Sequence, residues 1–561
     1  MKTNATHIPV PKTKKQYFKL VETGSNFFKN EDFANALKYF SKALNYEDYQ
    51  PNLLVLMSRC LFNLGMKNKA ISMMEHALHQ NADNPGICDI LGKSCIEMSF
   101  FDLAIKFYTI YCQTCPDDPI GYCNLATAMR ESGQIDESIE ILQDIIPIFP
   151  ESAHLWNAIG ASVSFRDGYT VSQPFYEEAY RLDPTIASVV SNLSLVYTNL
   201  QQYEKAWEFA HKAIKLSPKN FMCQRALAHS SYNIGKFDDA FEALAWHNHL
   251  SNPDSVFMPY KIEHWQGQDL SGKTILVGAE QGVGDEVLLA ALYPDLIREA
   301  EHVIIGCDRR LVPLFRNSFK EATIVPYKSG QHELGYKVRL YDGIEPEKID
   351  YMCLYTEVLR HRWRSREDIP DMSAGFLSPA EDKVAYWKEK ITQLPHNISV
   401  GICWTSQLQE ARRAMFYAQL EDWVPVLATK NVNFINVQYG DVSEEIQNLL
   451  DKHGIVLHNF EELDLKDDFE GTAAMMKNLD LVMGAASAPV SQAATVGTQV
   501  WWVIHNNRFW ESFGKEDGTY LFETALMTPK TPALTWAEFM PLFAKEEFTP
   551  WIEKKLKEKS A

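Results

Sequence analysis

Small and apolar positions in the first 250 residues recur with a period of 34. Pro116, Pro150, Pro184 and Pro218 mark one phase, and Ala36, Ala70, Ala104, Ser138, Ser172, Ala206 and Ala240 a second. Ala43, Ala77, Ala179 and Ala213 mark a third, while a fourth alternates Gly24, Gly92 and Gly160 with Ser58, Ala126, Ser194 and Ala228. Seven units fit this ruler, at about 17–50, 51–84, 85–118, 119–152, 153–186, 187–220 and 221–250, behind a polar tail at 1–16. Units that cannot bury an apolar face alone must stack on their neighbours, so the period predicts a solenoid.

After Leu250 the pattern changes. The stretch SNPDSVFMPYKIEHWQGQDLSGK is rich in Pro, Gly and Ser and sets a linker at 251–272. Beyond it, short β-rich runs (TILVGA, HVIIGC, ATIVPY, ISVGICW, NFINVQYG, IVLHN, LVMGA, QVWWVIH) alternate with helical stretches. That alternation predicts doubly wound parallel sheets, and the restart at ISVGICW predicts two Rossmann-like domains in tandem, at 273–395 and 396–550. Ligands of such folds bind at the carboxyl ends of strands, which for tandem domains means the cleft between them.

One strand exit carries unusual chemistry. GAEQGVGDEVLL follows TILV, and Gly278, Gly282 and Gly284 allow close approach of a ligand to the backbone. Their spacing, GxxxGxG, is neither the dinucleotide fingerprint nor the Walker loop. Asp285 and Glu286 put negative charge where a phosphate would sit, so one of these carboxylates is a candidate base at the mouth of an α/β domain.

Composition narrows the partners. The net charge of −19 disfavours nucleic acid, which requires a basic footprint. The polar start MKTNATHIPVPKTKKQ and the lack of an apolar run of about 18 residues predict a soluble, cytoplasmic protein. Ten scattered cysteines, with one lone CxxC at CQTC, read as helix filling.

The 34-residue units resemble the tetratricopeptide repeat (TPR), in which small residues let two antiparallel helices pack closely. Further along, WQGQDLSGKTILVGAEQGVGDEVLLAALYPDL, VGICWTSQLQEARRAMFYAQLEDWVPVL, INVQYGD and DFEGTAAMMKNLDLVMGAASAPVSQAATVG resemble bacterial TPR-linked glycosyltransferases of the GT-B fold, distantly similar to lipopolysaccharide heptosyltransferases. The resemblance spans residues 17–530, and its RRxxxY stretch and SAP turn are nearest to enzymes that place nonulosonic acids on flagellin. It implies an all-α TPR solenoid followed by an α/β GT-B module with an acceptor-side and a donor-binding domain. It also implies an inverting transferase with a nucleotide-sugar substrate, CMP-linked in the nonulosonic-acid group, and a protein acceptor, flagellin, held by the repeats.

No two aspartates stand two positions apart, so no DxD metal motif is present and a metal-independent reaction is expected, without a cofactor. By the resemblance Asp285 is the catalytic base, with Glu280 as fallback, and Gln281, Gly282 and Gly284 meet the substrate. Arg412 and Arg413, after the loop containing Thr405 and Ser406, offer guanidinium groups to a phosphate or carboxylate. Gln438 and Asp441 follow a strand where a ribose could bind, and Ser487, Ala488 and Ser491 open a helix whose N–H groups could hold phosphate. Heptosyltransferases often carry histidine where Ser491 stands, which speaks against a heptose donor. The basic stretch RHRWRSRED reads as a solvated loop. The alternatives are a heptosyl- or GlcNAc-type transferase, a saccharide acceptor, or a non-catalytic adaptor carrying a degenerate GT-B module.

Overall fold

The computed structural model describes residues 12–29, 32–46, 51–81, 84–244, 255–331, 337–405, 417–505, 512–515, 518–531 and 534–560. The described residues divide into two compact units, one running to Cys223 and the other from Gln224 onward.

The repeats form helix pairs. They are Lys12–Lys29 with Phe33–Ala43, Pro51–Asn63 with Lys67–Asn81, Pro85–Glu97 with Phe101–Thr114, Pro119–Glu131 with Ile135–Ile145, Ala153–Asp167 with Tyr169–Leu182, and Ala187–Asn199 with Tyr203–Leu216. Helix starts are set locally: Asn84 and Asp118 cap the next helix through Ile87 N (3.3 Å) and Ile120 N (3.0 Å), each followed by a proline at the first helical position. The alternating phase of glycines has a packing cause. A Cβ on Gly24, Gly92 or Gly160 would stand 2.6, 2.6 or 3.1 Å from the ring of Phe40, Tyr108 or Tyr176, which lies on the paired helix. Where serine or alanine replaces the glycine, at Ser58, Ala126 and Ser194, the same offset carries the non-aromatic Met74, Leu142 and Ala210, all buried. The serines add hydrogen bonds across each pair, Ser58 Oγ to Ala70 O at 2.9 Å and Ser194 Oγ to Ala206 O at 2.8 Å.

The second unit contains two parallel sheets. The first comprises β1 (Val256–Phe257), β2 (Glu263–His264), β3 (Thr274–Gly278), β4 (His302–Cys307), β5 (Thr323–Gln331), β6 (Lys337–Tyr341) and β7 (Tyr351–Leu354), in the order β1-β6-β5-β4-β3-β7-β2. The second comprises β8 (Ile398–Cys403), β9 (Val432–Asn436), β10 (Leu457–His458), β11 (Leu481–Gly484), β12 (Val500–Ile504) and β13 (Leu526–Pro529), ordered β10-β9-β8-β11-β12-β13. One apolar core runs through both, taking Ile275 and Val277 from β3, Ile435 from β9 and Val482 from β11. Their near-continuous burial is what parallel strands covered on both faces require.

That core also includes Tyr232, Phe237 and Phe241, so the helix pair Phe221–Asn233 and Phe237–Leu244, last on the 34-residue ruler, packs largely with the α/β unit. Arg360 and Arg364 of the basic stretch pair with Glu242 and Asp238 of that second helix, and Arg362 pairs with Glu299. The stretch is therefore the start of an ion-paired surface and only partly a solvated one.

Candidate functional site

The GAEQGVGDE segment leaves β3 and enters the helix Val283–Leu289. Its three carboxylates have three different environments. Glu280 is buried, and its carboxylate accepts a hydrogen bond from Thr356 N at 2.7 Å, at the start of the helix Tyr355–Arg362. Glu286 is also buried; it accepts from Asp308 N at 2.8 Å and from the Tyr327 hydroxyl at 2.9 Å, with Arg339 Nη1 at 3.7 Å. Burial pushes its carboxyl up to about 7 against the opposing pull of Arg339. Asp285 is partly exposed, and its Oδ2 accepts from Gly282 N at 3.2 Å.

The turn itself is held from behind. Gln281 N donates to the Tyr355 hydroxyl at 2.7 Å, and Arg339 Nη2 reaches the carbonyls of Gln281 (3.1 Å) and Glu280 (3.4 Å). Tyr355 is fully buried, and burial together with the nearby carboxylates Asp285 and Glu280 pushes its hydroxyl far up, keeping it neutral. Gly278 and Gly306, at the ends of β3 and β4, leave room for Tyr341: a Cβ would lie 2.9 Å from its hydroxyl in the first case and 2.2 Å from its ring in the second.

The second sheet brings its own turn to this place. A Cβ on Gly284 would stand 3.2 Å from both Cα and Cβ of Ala488, so the starts of the helices Val283–Leu289 and Ala488–Thr495 lie against each other. Ser487 is the N-cap of the latter, with its Oγ 3.3 Å from Cys403 Sγ at the end of β8. Cys403 Sγ lies 3.3 Å from Gln438 Oε1, which also accepts from Thr405 N at 2.9 Å. Gln438 is buried and ties together the exits of β8 and β9. Gly484 is obligatory here, because a Cβ on it would fall 1.9 Å from Cys403 O.

Of the residues singled out from sequence, Gly282, Gly284, Asp285, Ser487 and Ala488 thus meet at one place, with Thr405 and Gln438 linked through Cys403. Ser491 lies buried in the first turn of its helix, its N–H donating to Ser487 O at 3.1 Å. Asp441 is exposed beyond Gly440, and its carboxylate accepts from Ser443 N at 3.2 Å, opening the helix Ser443–His453. Ser406, Arg412 and Arg413 lie outside the described residues. Sequence reasoning missed Arg339, Tyr327, Asp308 and Tyr355; the arginine inside the strand KVRLY was the one available signal.

The fold and its repeats define the class: a tetratricopeptide repeat protein with a C-terminal α/β region of parallel sheets. Tetratricopeptide repeat models match residues 27–87 and 187–220. The chain is 30% identical over 493 residues to Protein FlbA of Caulobacter vibrioides, covering 87% of this chain and 82% of that protein, and it belongs to that family. The BBSome complex member BBS4 of Bos taurus is 25% identical over 219 residues, 37% of this chain and 41% of its own. Among solved structures, a tetratricopeptide repeat protein from Parabacteroides merdae is 15% identical, with a TM-score of 0.30, covering 38% of this chain and 84% of that one. MamA from Desulfovibrio magneticus is 18% identical, with a TM-score of 0.23, covering 29% and 90%. No helix among the described residues is long and apolar enough to cross a membrane.

Proposed function

We propose that the chain is an inverting, metal-independent glycosyltransferase of GT-B type that modifies serine or threonine hydroxyls of a protein held by its repeats. The observation that carries this reading is the placement of Asp285: its carboxylate is partly exposed where the two α/β halves meet, while its neighbours Glu280 and Glu286 are buried and engaged. In the reaction, the Asp285 carboxylate takes the proton of the acceptor hydroxyl as that oxygen bonds to the anomeric carbon. The bond to the donor phosphate breaks on the opposite face, which inverts the configuration. The start of the helix Ala488–Thr495, with Ser487, faces the leaving phosphate, and main-chain N–H groups there stabilise its growing charge.

The donor we assign is a CMP-linked nonulosonic acid such as pseudaminic or legionaminic acid, and the acceptor is flagellin. Both rest on the resemblance of the RRxxxY stretch and the SAP turn. The test is Asp285→Asn, assayed by the mass increase of the acceptor protein and by calorimetric binding of the donor. Transfer should fall by roughly a hundredfold or more, the scale on which general bases act, with donor affinity nearly intact. Turnover near that of the unmodified enzyme would remove Asp285 from the mechanism.

A further inference from the structure

We propose that Arg339, on β6, is a positioning residue for the reaction assigned above, holding the main chain of the turn that presents Asp285. The proposal rests on that functional reading. Gly282 and Gly284 flank the base, and glycine leaves the main chain more freedom than a base-bearing turn can tolerate. Something else must fix it.

Arg339 is 5% exposed and lies at the centre of what does so. Nη2 donates to two successive carbonyls, Gln281 O and Glu280 O, at 3.1 and 3.4 Å. Nη1 faces Glu286 Oε1 at 3.7 Å, and the guanidinium carbon lies 3.9 Å from the centre of the Tyr327 ring. Tyr327 in turn donates to Glu286, which accepts from Asp308 N as well. The guanidinium therefore connects the carbonyls before the helix to a carboxylate inside it. The planar fork sets one nitrogen toward the carbonyls and another toward the carboxylate, whereas lysine gathers its three donors on a single atom at the end of a flexible stem. Arg339 touches no reacting atom in this arrangement and acts through the backbone leading to Asp285.

Residue type is the discriminating test. In the full chain, Arg339→Lys keeps the charge beside Glu286 but loses the bridge. Backbone hydrogen exchange in residues 279–286 should accelerate at least tenfold while the rest of the α/β unit keeps its protection. With CMP-pseudaminic acid and flagellin as substrates, kcat should fall about tenfold to a hundredfold, the scale expected when a reacting group is misplaced by about 1 Å, with KM for the donor within about twofold. The paired variant Arg339→Met with Glu286→Gln removes both charges together, so that an unpaired buried glutamate does not confuse the outcome, and it should show the same local exchange. Unchanged exchange in both variants overturns the proposal, as does a kcat equal to that of the unmodified protein. Loss of protection spread over the whole unit also overturns it, because it marks a general packing role. If the unmodified protein transfers no sugar yet the lysine variant loosens this turn alone, the bracing stands and the transferase reading is what fails.

Discussion

Removing the repeats from the α/β unit should succeed or fail according to where the cut is made. A fragment beginning at residue 251, the end of the 34-residue pattern, discards Tyr232, Phe237 and Phe241, which are 5%, 1% and 2% exposed and belong to the α/β core. Full burial of a large apolar side chain stabilises by about 1.5–3 kcal/mol, so the three together amount to roughly 4.5–9 kcal/mol as an upper figure. That is comparable with the 5–15 kcal/mol that typically holds a domain together. The lost pairs Arg360–Glu242 and Arg364–Asp238 matter little, since both are substantially exposed. Main-chain contact is lost as well: Gly514, at φ +82°, lies so near Tyr232 O that a Cβ would stand 2.2 Å from it. A fragment beginning at residue 217 keeps the helices Phe221–Asn233 and Phe237–Leu244 whole. Urea denaturation with size-exclusion chromatography compares the two. The longer fragment should unfold cooperatively as a monodisperse species, and the shorter should be aggregated or far less stable. Equal urea midpoints would refute the assignment of the last helix pair to the α/β core.

Three further expectations are independent of that cut. Glu286 has its folded-state value raised from 4.5 to about 7, so the folded protein holds this proton longer than the unfolded chain does. The stability associated with it is full below pH 4.5 and is lost as pH rises through 7, by about 3 kcal/mol. The stability difference between the unmodified protein and Glu286→Gln, measured in urea at pH 4 and pH 8, should shift by that order against the unmodified protein; a constant difference would refute it. Transfer should persist in EDTA, while Arg412→Ala with Arg413→Ala should weaken donor binding by a few kcal/mol, as lost charge-assisted bonds do. Activity abolished by the chelator and restored by magnesium or manganese would defeat the metal-independent reading.

How much of this was legible in the sequence follows from the length and regularity of each signal. The repeats announced themselves because each helix pair needs a small residue at the same place, and the glycine-to-aromatic pairing of Gly92 with Tyr108 repeats 68 residues later at Gly160 and Tyr176. The long buried strands, such as β8 and β12, were visible as continuous apolar runs. The strands β1 and β2 are two residues each, too short to show any period, and β6 hides behind the charged positions of KVRLY. β7 and the helix after it fell in a stretch with no clear alternation, and with them went Tyr355. The ruler also continued through Ala240 although that helix packs with a different core, because a periodic sequence records how a helix meets its partner helix and not what lies on its other face.

The acidic turn posed the harder question, since three carboxylates within seven residues should repel an anionic donor. Helical geometry resolves most of it. Successive positions on an α-helix point about 100° apart, so Asp285 and Glu286 cannot face the same side. Glu286 turns inward to Tyr327 and the Arg339 guanidinium, and Glu280 turns back to Thr356 N. The cation on β6 and the buried amides thus absorb two of the three charges beneath the turn. What remains is the partly exposed Asp285 carboxylate, which accepts from Gly282 N at 3.2 Å, beside the Ser487–Ala488 start of a helix from the other sheet. In the proposed reaction a base and an anion can stand side by side because the acid that would repel the phosphate is confined to one side chain, and that side chain is the one the proposed chemistry requires.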